Sequence, residues 1–156
     1  MRPVGARVRW RPADHYRILG AELRIDKPAQ PGKLPDRMVA VVIVDYGGKR
    51  HLHVLVNASG AVAKVEDLTG SQPPFSTDEI AEARAIAEQD SRVARHLGRE
   101  GLFVSDFGPA PAPDYARRVG LRYVVLNQGR IIGSLALAIV DLSARKLVEF
   151  EETPEN

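Results

Sequence analysis

In the first half of the chain, apolar stretches rich in β-branched residues alternate with short turn sequences. Residues 38–46 are rich in Val and Ile, and residues 50–56 alternate polar and apolar side chains. Two glycines at 47–48 separate these stretches, and Asn-Ala-Ser-Gly at 57–60 separates the second from residues 61–65. Stretches joined by such short turns pair antiparallel. The pattern therefore predicts a meander of three antiparallel strands.

A helix signal follows this meander. Ser76 and Glu79 have the spacing of a capping box, in which each side chain accepts a hydrogen bond from the other residue's backbone amide. Apolar residues then recur three and four positions apart until Gly98, a residue typical of helix ends. We therefore predict one main helix over residues 77–97, packed on a sheet. Asp90-Ser91 is the point where it kinks or restarts.

Four apolar stretches follow the predicted helix, at residues 102–104, 119–127, 131–140 and 146–151. Their intervening turns again favour antiparallel pairing. We therefore predict an α+β fold with antiparallel sheets in two related units, residues 36–68 and residues 73–151. Each unit ends in a long strand that turns through a Ser-containing loop into a strand ending in acid, which indicates a weak internal duplication. We expect the two units to form a single compact body, residues 36–156.

The beginning of the chain differs from the rest in charge. Residues 1–27 hold seven basic residues against three acidic ones, whereas residues 149–156 hold four Glu and no basic residue. Three prolines between positions 27 and 35 predict a loop. We therefore predict a basic N-terminal arm and loop over residues 1–35, with residues 16–25 as a short helix or strand. The arm is interpreted as a solvated segment lying on the acidic tail, and the alternative is that it binds nucleic acid or an acidic partner.

The composition excludes several classes of protein. The chain has 156 residues, 44% of them apolar, which is enough for a core that folds without crosslinks. It has no cysteine, so disulfide scaffolds, iron–sulfur clusters and thiol nucleophiles are excluded. The phosphate-loop, dinucleotide, nucleophile-elbow and His-Glu-x-x-His motifs do not occur in the sequence, which disfavours nucleotide-binding proteins and hydrolases. Arginine far outnumbers lysine, as in chains from GC-rich, actinobacterial-like sources.

Charge and hydropathy also bear on partners and location. The net charge of +2 is small and the basic residues cluster only at the start of the chain, so no nucleic-acid partner is predicted. No stretch approaches the roughly 18 consecutive apolar residues of a membrane-spanning helix. The first residues lack the apolar centre of a signal peptide. We therefore expect a cytoplasmic protein that does not bind membranes.

Two histidines are the most distinctive candidate site. His51 and His53 occupy alternate positions of a predicted strand and so lie on one face of it. Two imidazoles can share a metal, with His15 as a further weak candidate, but a stable site needs three or four ligands. We therefore predict neither a metal nor a cofactor. The pair is interpreted as part of a solvent-facing surface, and the alternative is acid–base catalysis in a pocket together with Asp45 and Tyr46.

Aromatic residues suggest a second kind of site. Sheet concavities in small α+β folds bind apolar ligands against rings, with a few polar groups that orient them. The candidate ligand-binding residues are Tyr16, Tyr115, Tyr123 and Arg118. A small-molecule ligand is therefore one expected partner.

Several segments resemble a known family. They are Val-Asp-Tyr-Gly at 44–47, the stretch Pro-Pro-Phe-Ser-Thr-Asp-Glu-Ile-Ala-Glu-Ala-Arg at 73–84, and Ile-Val-Asp-Leu at 139–142. Over residues 36–151 the chain resembles the small cystatin-like α+β domains that precede the catalytic barrel of copper amine oxidases. That family carries an Asn-Tyr-Asp/Glu motif, whose Tyr becomes a quinone, and three copper-binding His in the barrel. No Asn-Tyr pair occurs in this chain, so the resemblance implies a non-catalytic accessory unit.

The sequence therefore leaves several functions open. The leading hypothesis is a small non-catalytic accessory or ligand- or partner-binding protein. The alternative is an enzyme of secondary metabolism that transforms a small molecule by acid–base chemistry in a sheet-lined pocket, and a weaker one is metal binding through His51 and His53. A protein partner is also expected, including a second copy paired through the sheet edges at 61–66 or 146–151.

Overall fold

The described residues form two four-stranded antiparallel sheets and two short helices. The computed structural model describes residues 15–25, 32, 37–109 and 112–154. The elements in chain order are β1 (Tyr16–Ile25), β2 (Arg37–Asp45), β3 (Arg50–Asn57), β4 (Val62–Asp67), α1 (Thr77–Ala87), α2 (Ser91–Ala94), β5 (Leu102–Phe107), β6 (Arg118–Asn127), β7 (Arg130–Asp141) and β8 (Lys146–Glu152). The predicted α+β class with two antiparallel sheets is confirmed.

The first sheet has the strand order β1-β2-β3-β4. Side-chain hydrogen bonds close its hairpins: the Asp45 carboxylate accepts from the Gly48 amide at 2.8 Å, and the Asn57 side chain accepts from the amides of Ser59 and Ala61. Lys49 has a φ of 52°, a left-handed conformation that a tight turn requires. The three predicted strands are therefore present, joined by the turns that the sequence indicated.

Strand β1 lies where a basic arm was predicted. It pairs antiparallel with β2, from Tyr16 opposite Asp45 to Ile25 opposite Arg37. Of the two conformations expected for residues 16–25, the strand is the observed one, and it adds a fourth strand to the first sheet. Residues 1–14, 26–31 and 33–36 of the predicted arm and loop lie outside the described residues.

The second sheet has the order β5-β6-β7-β8, and α1 packs across β6, β7 and β8. Small residues on the helix allow this close approach: Ala83 and Ala87 are fully buried against Leu121, Tyr123 and the alanines of β7. Burial of this apolar surface contributes roughly 25 cal/mol per Å² of area removed from water. The main hydrophobic core therefore lies between the helix and the second sheet.

The predicted helix of residues 77–97 is interrupted. The capping box at Ser76 and Glu79 is present, and α1 ends at Ala87. Asp90 then caps α2, its carboxylate accepting from the Arg92 amide at 2.9 Å. An Asp side chain competes in this way with the helical backbone for amide hydrogen atoms, which ends one helix and begins the next.

Glu152 near the chain end contacts the segment that follows α2. Its carboxylate accepts from Arg95 Nη2 at 2.5 Å and lies 3.1 Å from His96 Nε2. In the described part of the chain, the acidic end therefore contacts the helical region and not β1. No helix in that same part is long and apolar enough to cross a membrane.

A prediction concerns the contact between β5 and β6. Phe107 lies flat over Gly120, and a Cβ atom at position 120 would overlap its ring. We expect Gly120→Ala to displace the ring and to lower the free energy of unfolding by about 1–3 kcal/mol, the usual cost of overpacking. Urea denaturation measures this change.

Gly133→Ala is the matched control. Gly133 lies in β7 of the same sheet, and nothing is within 4 Å of the position that its Cβ would take. We expect it to change stability much less. Equal losses for both variants would contradict the proposed contact with Phe107.

Candidate functional site

A buried ion pair joins the start of α1 to the segment before β6. Arg117 is 1% exposed and Glu79 is fully buried. Arg117 Nε donates to Glu79 Oε1 and Nη2 donates to Oε2, each at 2.9 Å. This bidentate geometry is the strongest form of a guanidinium–carboxylate contact. The pair fixes the first turn of α1 against the second sheet.

The remaining donors of Arg117 bind the linker between the two sheets. Nη1 donates to the Pro73 carbonyl at 2.7 Å and Nη2 to the Pro74 carbonyl at 3.1 Å. The guanidinium also lies 4.1 Å from the centre of the Phe75 ring, a cation–π contact. Prolines cannot donate backbone hydrogen bonds, but their carbonyls accept. The linker is therefore held at three consecutive residues by one side chain.

The first sheet reaches the same carboxylate through Tyr46. Its hydroxyl donates to Glu79 Oε1 at 2.9 Å, and the Ser76 amide donates to Oε2 at 2.9 Å. Burial raises the pKa of Tyr46, and the negative charge of Glu79 raises it further. Both oxygens of Glu79 are thus occupied by donors from Arg117, Ser76 and Tyr46. This network is where the two units meet.

A cavity of about 290 Å³, named the junction cavity below, opens beside this network. Its lining residues come from both units: His15, Tyr16, Arg17, Tyr46, Glu82, Leu142, Ser143 and Arg145.

Two arginines of this junction cavity share one carboxylate. Arg17 Nη2 lies 2.9 Å from Glu82 Oε2, and Arg145 Nη1 lies 3.1 Å from Glu82 Oε1. The Arg17 guanidinium also lies 5.8 Å from the centre of the Tyr46 ring. Burial alone lowers the pKa of Arg17, but Tyr46 and Glu82 outweigh it, so the net shift is upward and the group stays charged. The three side chains therefore carry one net positive charge.

One nitrogen of Arg17, beside the junction cavity, has no acceptor among the described residues. Arg17 Nη1 is buried and makes no hydrogen bond within the described residues. A buried donor left unsatisfied costs about 1–3 kcal/mol, and more when the group is charged. Because Nη1 is itself closed to solvent, it is an unsatisfied donor next to the cavity and not a surface that a ligand there contacts.

The two predicted histidines do not face this cavity as a pair. His51 is buried, its Nδ1 lies 3.0 Å from the Ser71 carbonyl, and burial lowers its pKa. His53 is half-buried, with Nδ1 3.1 Å from Glu66 Oε2. Among the described residues, no group of three or more His, Asp or Glu side chains is placed to hold a metal.

The other predicted site residues are divided by the structure. Tyr16, Tyr46 and His15 line the junction cavity, whereas Asp45 caps the turn at Gly48. The remaining candidates lie elsewhere, as follows. Tyr123 is fully buried in the core, where burial raises its pKa to about 12. Tyr115 is exposed. Arg118 lies 3.8 Å from Asp141, on the face of the second sheet that points away from α1.

Sequence reasoning missed the charged residues of the site. Glu79 was identified only as a capping residue, although its side chain also binds Arg117 38 positions away. Arg17, Glu82 and Arg145 meet because β1, α1 and the β7–β8 turn converge. The only local signal was the three-residue spacing of Glu79 and Glu82, which places both on one helix face.

An α+β unit with two antiparallel sheets, like that of this chain, also occurs as part of a much larger enzyme. The chain is similar to a copper-containing benzylamine oxidase from Hansenula polymorpha, with a TM-score of 0.65 and 13% identity. The similarity covers 93% of this chain and 27% of that one, so the chain spans about a quarter of the oxidase. No protein-family model matches, and curated proteins give no significant sequence match. The resemblance to copper amine oxidases is therefore confirmed at the level of the fold.

A first prediction for the site concerns the buried ion pair. Glu79→Gln removes the charge that compensates Arg117, and we expect it to lower the free energy of unfolding by about 3–5 kcal/mol. Glu82→Gln is the matched control one helical turn away. The ion pairs of Glu82 with Arg17 and Arg145 are partly exposed, so we expect the free energy of unfolding to fall by at most about 1 kcal/mol. Urea denaturation at neutral pH compares them. Similar losses for the two variants would contradict the role of the buried pair.

A second prediction concerns the pH dependence of that pair. Burial raises the pKa of Glu79, but hydrogen bonds from Arg117, the Ser76 amide and Tyr46 outweigh it and hold the pKa below its ordinary 4.5. A lowered folded-state pKa stabilises the fold above the unfolded-state value, and this stabilisation is lost as pH falls through the folded-state value. The stability gap between wild type and Glu79→Gln should therefore be constant near neutrality and shrink below about pH 4.5. A gap that persists until acid unfolding would argue against this.

Proposed function

We propose that this protein is a non-catalytic binding module that holds a small anionic molecule in the junction cavity. The observation that carries the proposal is the net positive charge of Arg17, Glu82 and Arg145, three side chains that line the cavity. A guanidinium binds carboxylate and phosphate oxygens through parallel hydrogen bonds. An anion in the cavity would balance the net positive charge that Arg17, Glu82 and Arg145 carry together.

The size and lining of the cavity support a small ligand. A volume of about 290 Å³ is at the lower end of small-molecule sites. The lining residues include Leu142, Tyr16 and Tyr46, which carry apolar or aromatic groups, and Ser143, which carries a hydroxyl. This combination suits a compact carboxylate with an aromatic or short aliphatic part.

The electrostatics favour binding over acid–base catalysis. Glu79 is held ionised and accepts hydrogen bonds at both oxygens, so it is a weak base. The raised pKa of Tyr46 keeps its hydroxyl protonated at neutral pH. A catalytic acid or base works best when its pKa lies near the working pH, and both groups are shifted away from neutrality.

The similarity to the oxidase fits an accessory role. That protein is a copper-containing benzylamine oxidase, and this chain spans about a quarter of it. We propose that the shared fold serves here as a binding unit without oxidase chemistry. The enzyme alternative from the sequence remains an outcome of the test.

The prediction is that small anions stabilise the protein through Arg145 and Arg17. Benzoate, succinate and inorganic phosphate are the probes, with benzamide as the uncharged analogue of benzoate. At least one anion should raise the melting temperature in a saturable manner, because a ligand that binds the folded state stabilises it. Arg145→Gln should weaken the response roughly tenfold, since a charge-assisted hydrogen bond is lost.

Arg122→Gln is the matched control, an exposed arginine on the outer face of the second sheet. It should respond to the anions as wild type does, and chloride at equal ionic strength corrects for general salt effects. Equal responses of the two variants, or none beyond chloride, would contradict the proposal. Chemical conversion of a bound probe, followed by NMR, would favour the enzyme alternative.

A further inference from the structure

One carboxylate of the junction cavity already binds the two cations that an anionic ligand would seek. Glu82 Oε2 accepts a hydrogen bond from Arg17 Nη2 at 2.9 Å, and Glu82 Oε1 lies 3.1 Å from Arg145 Nη1. Guanidinium groups are the preferred partners of carboxylate and phosphate oxygens. Glu82 is therefore a counter-ion that the chain itself supplies to the cavity.

The position of Glu82 in α1 keeps its charge near the cavity. The first turn of this helix is held by the capping box at Ser76 and by the bidentate pair between Arg117 and Glu79. Glu82 follows Glu79 by three residues, so it lies on the same helix face about one turn later. Its backbone is thus held in place, and only its side chain can turn when a ligand binds.

The two arginines retain donors that Glu82 does not use. A guanidinium has five N–H groups, and a contact with one carboxylate oxygen occupies only some of them. The Arg145 side chain is 69% exposed, and it lies in the turn between β7 and β8. A ligand can therefore reach Arg145 while Glu82 stays in place. Such a ligand lies close to one negative charge as well as to two positive ones.

The charge of the lining favours one class of anion. Arg17 and Arg145 supply two positive charges and Glu82 supplies one negative charge, which leaves one net positive charge. Attraction to this charge grows in proportion to the charge of the ligand, whereas the cost of removing an ion from water grows with its square. A single net charge therefore compensates a monoanion better than a dianion.

We propose that Glu82 determines the charge class of the ligand, so that the junction cavity takes a monoanion, such as a monocarboxylate, and discriminates against dianions. This inference rests on the anion site proposed above and adds a role for the carboxylate within it. Glu82 acts here on specificity by its charge. Without that charge the lining carries two positive charges, and the discrimination against dianions is relieved.

Two ligands of matched shape test this role. Phenyl sulfate and phenyl phosphate share the ring and a tetrahedral head of similar size, but they differ in charge. Near pH 8 the sulfate ester carries one negative charge and the phosphate ester about two, because the second pKa of a phosphate ester is about 6. Isothermal titration calorimetry at fixed ionic strength gives both dissociation constants. Wild type should bind phenyl sulfate more tightly.

The deciding variant is Glu82→Gln. It should raise the affinity for phenyl sulfate roughly tenfold and the affinity for phenyl phosphate about a hundredfold, because the Coulomb energy that is removed doubles with the ligand charge. The ratio of the two dissociation constants should therefore shift roughly tenfold toward phenyl phosphate. Effects of the substitution on cavity shape or on free donors act on both ligands and cancel in this ratio. The charge of His15, which also lines the cavity, cancels in the same way.

Two control variants separate the charge of Glu82 from other effects. Glu82→Asp keeps the charge, so the ratio should stay close to that of wild type even if both affinities change. Glu88→Gln makes the same chemical change at the end of α1, where Glu88 lies 3.5 Å from Arg84, and should leave both dissociation constants unchanged. Circular dichroism melts confirm that each variant is folded.

The outcomes separate this inference from the proposed function. A wild type that binds both ligands but prefers phenyl phosphate would overturn the role of Glu82 and leave the anion site standing. A ratio that is the same in wild type and Glu82→Gln would do so equally. If wild type binds none of phenyl sulfate, phenyl phosphate and benzoate, the proposed function fails, and the inference fails with it.

Discussion

The packing of the two units depends on the buried ion pair between Arg117 and Glu79. Removing these charges from water costs several kcal/mol per ion, and the cost is offset only when geometry and hydrogen bonding are nearly complete. Here the carboxylate binds the guanidinium in bidentate fashion, and the remaining donors reach two linker carbonyls. A shift of the linker or the helix would leave a buried charge unpaired. We therefore interpret the pair as the constraint that selects one arrangement of the linker, the helix and the first sheet.

The properties of the junction cavity follow from this constraint. Glu79 is neutralised by Arg117, so Glu82 alone faces the two arginines that line the cavity. Glu79 also holds the Tyr46 hydroxyl, and the Tyr46 ring in turn lies against Arg17. The net positive charge of the cavity lining thus depends on Glu79, which is fully paired, and on Glu82 one helical turn later, which is shared by two arginines.

Local patterns identified much of the fold because their physics is local. The capping box, the hairpin turns and their paired strands depend on residues within a few positions of one another, and all are present. The interruption at Asp90 is also local, since its side chain binds an amide two residues on. Membership of β1 in the first sheet was less evident, because its exposed, mixed sequence favours a strand only when β2 lies beside it. Of the candidate site residues, His15, Tyr16 and Tyr46 do line the cavity, while Tyr123 lies in the core.

The sequence by itself determined the α+β class, the hairpins, the start of the helix and the resemblance to part of a copper amine oxidase. Tertiary structure alone decided which charges meet. Arg117 and Glu79 are 38 positions apart, and Arg17 and Glu82 are 65 apart, so no periodicity links them. Their pairing depends on how the two sheets pack, and burial then fixes which groups are ionised and which donor is left unsatisfied. Desolvation is a property of the whole fold, and for that reason the chemistry of the site could not be read from the order of its residues.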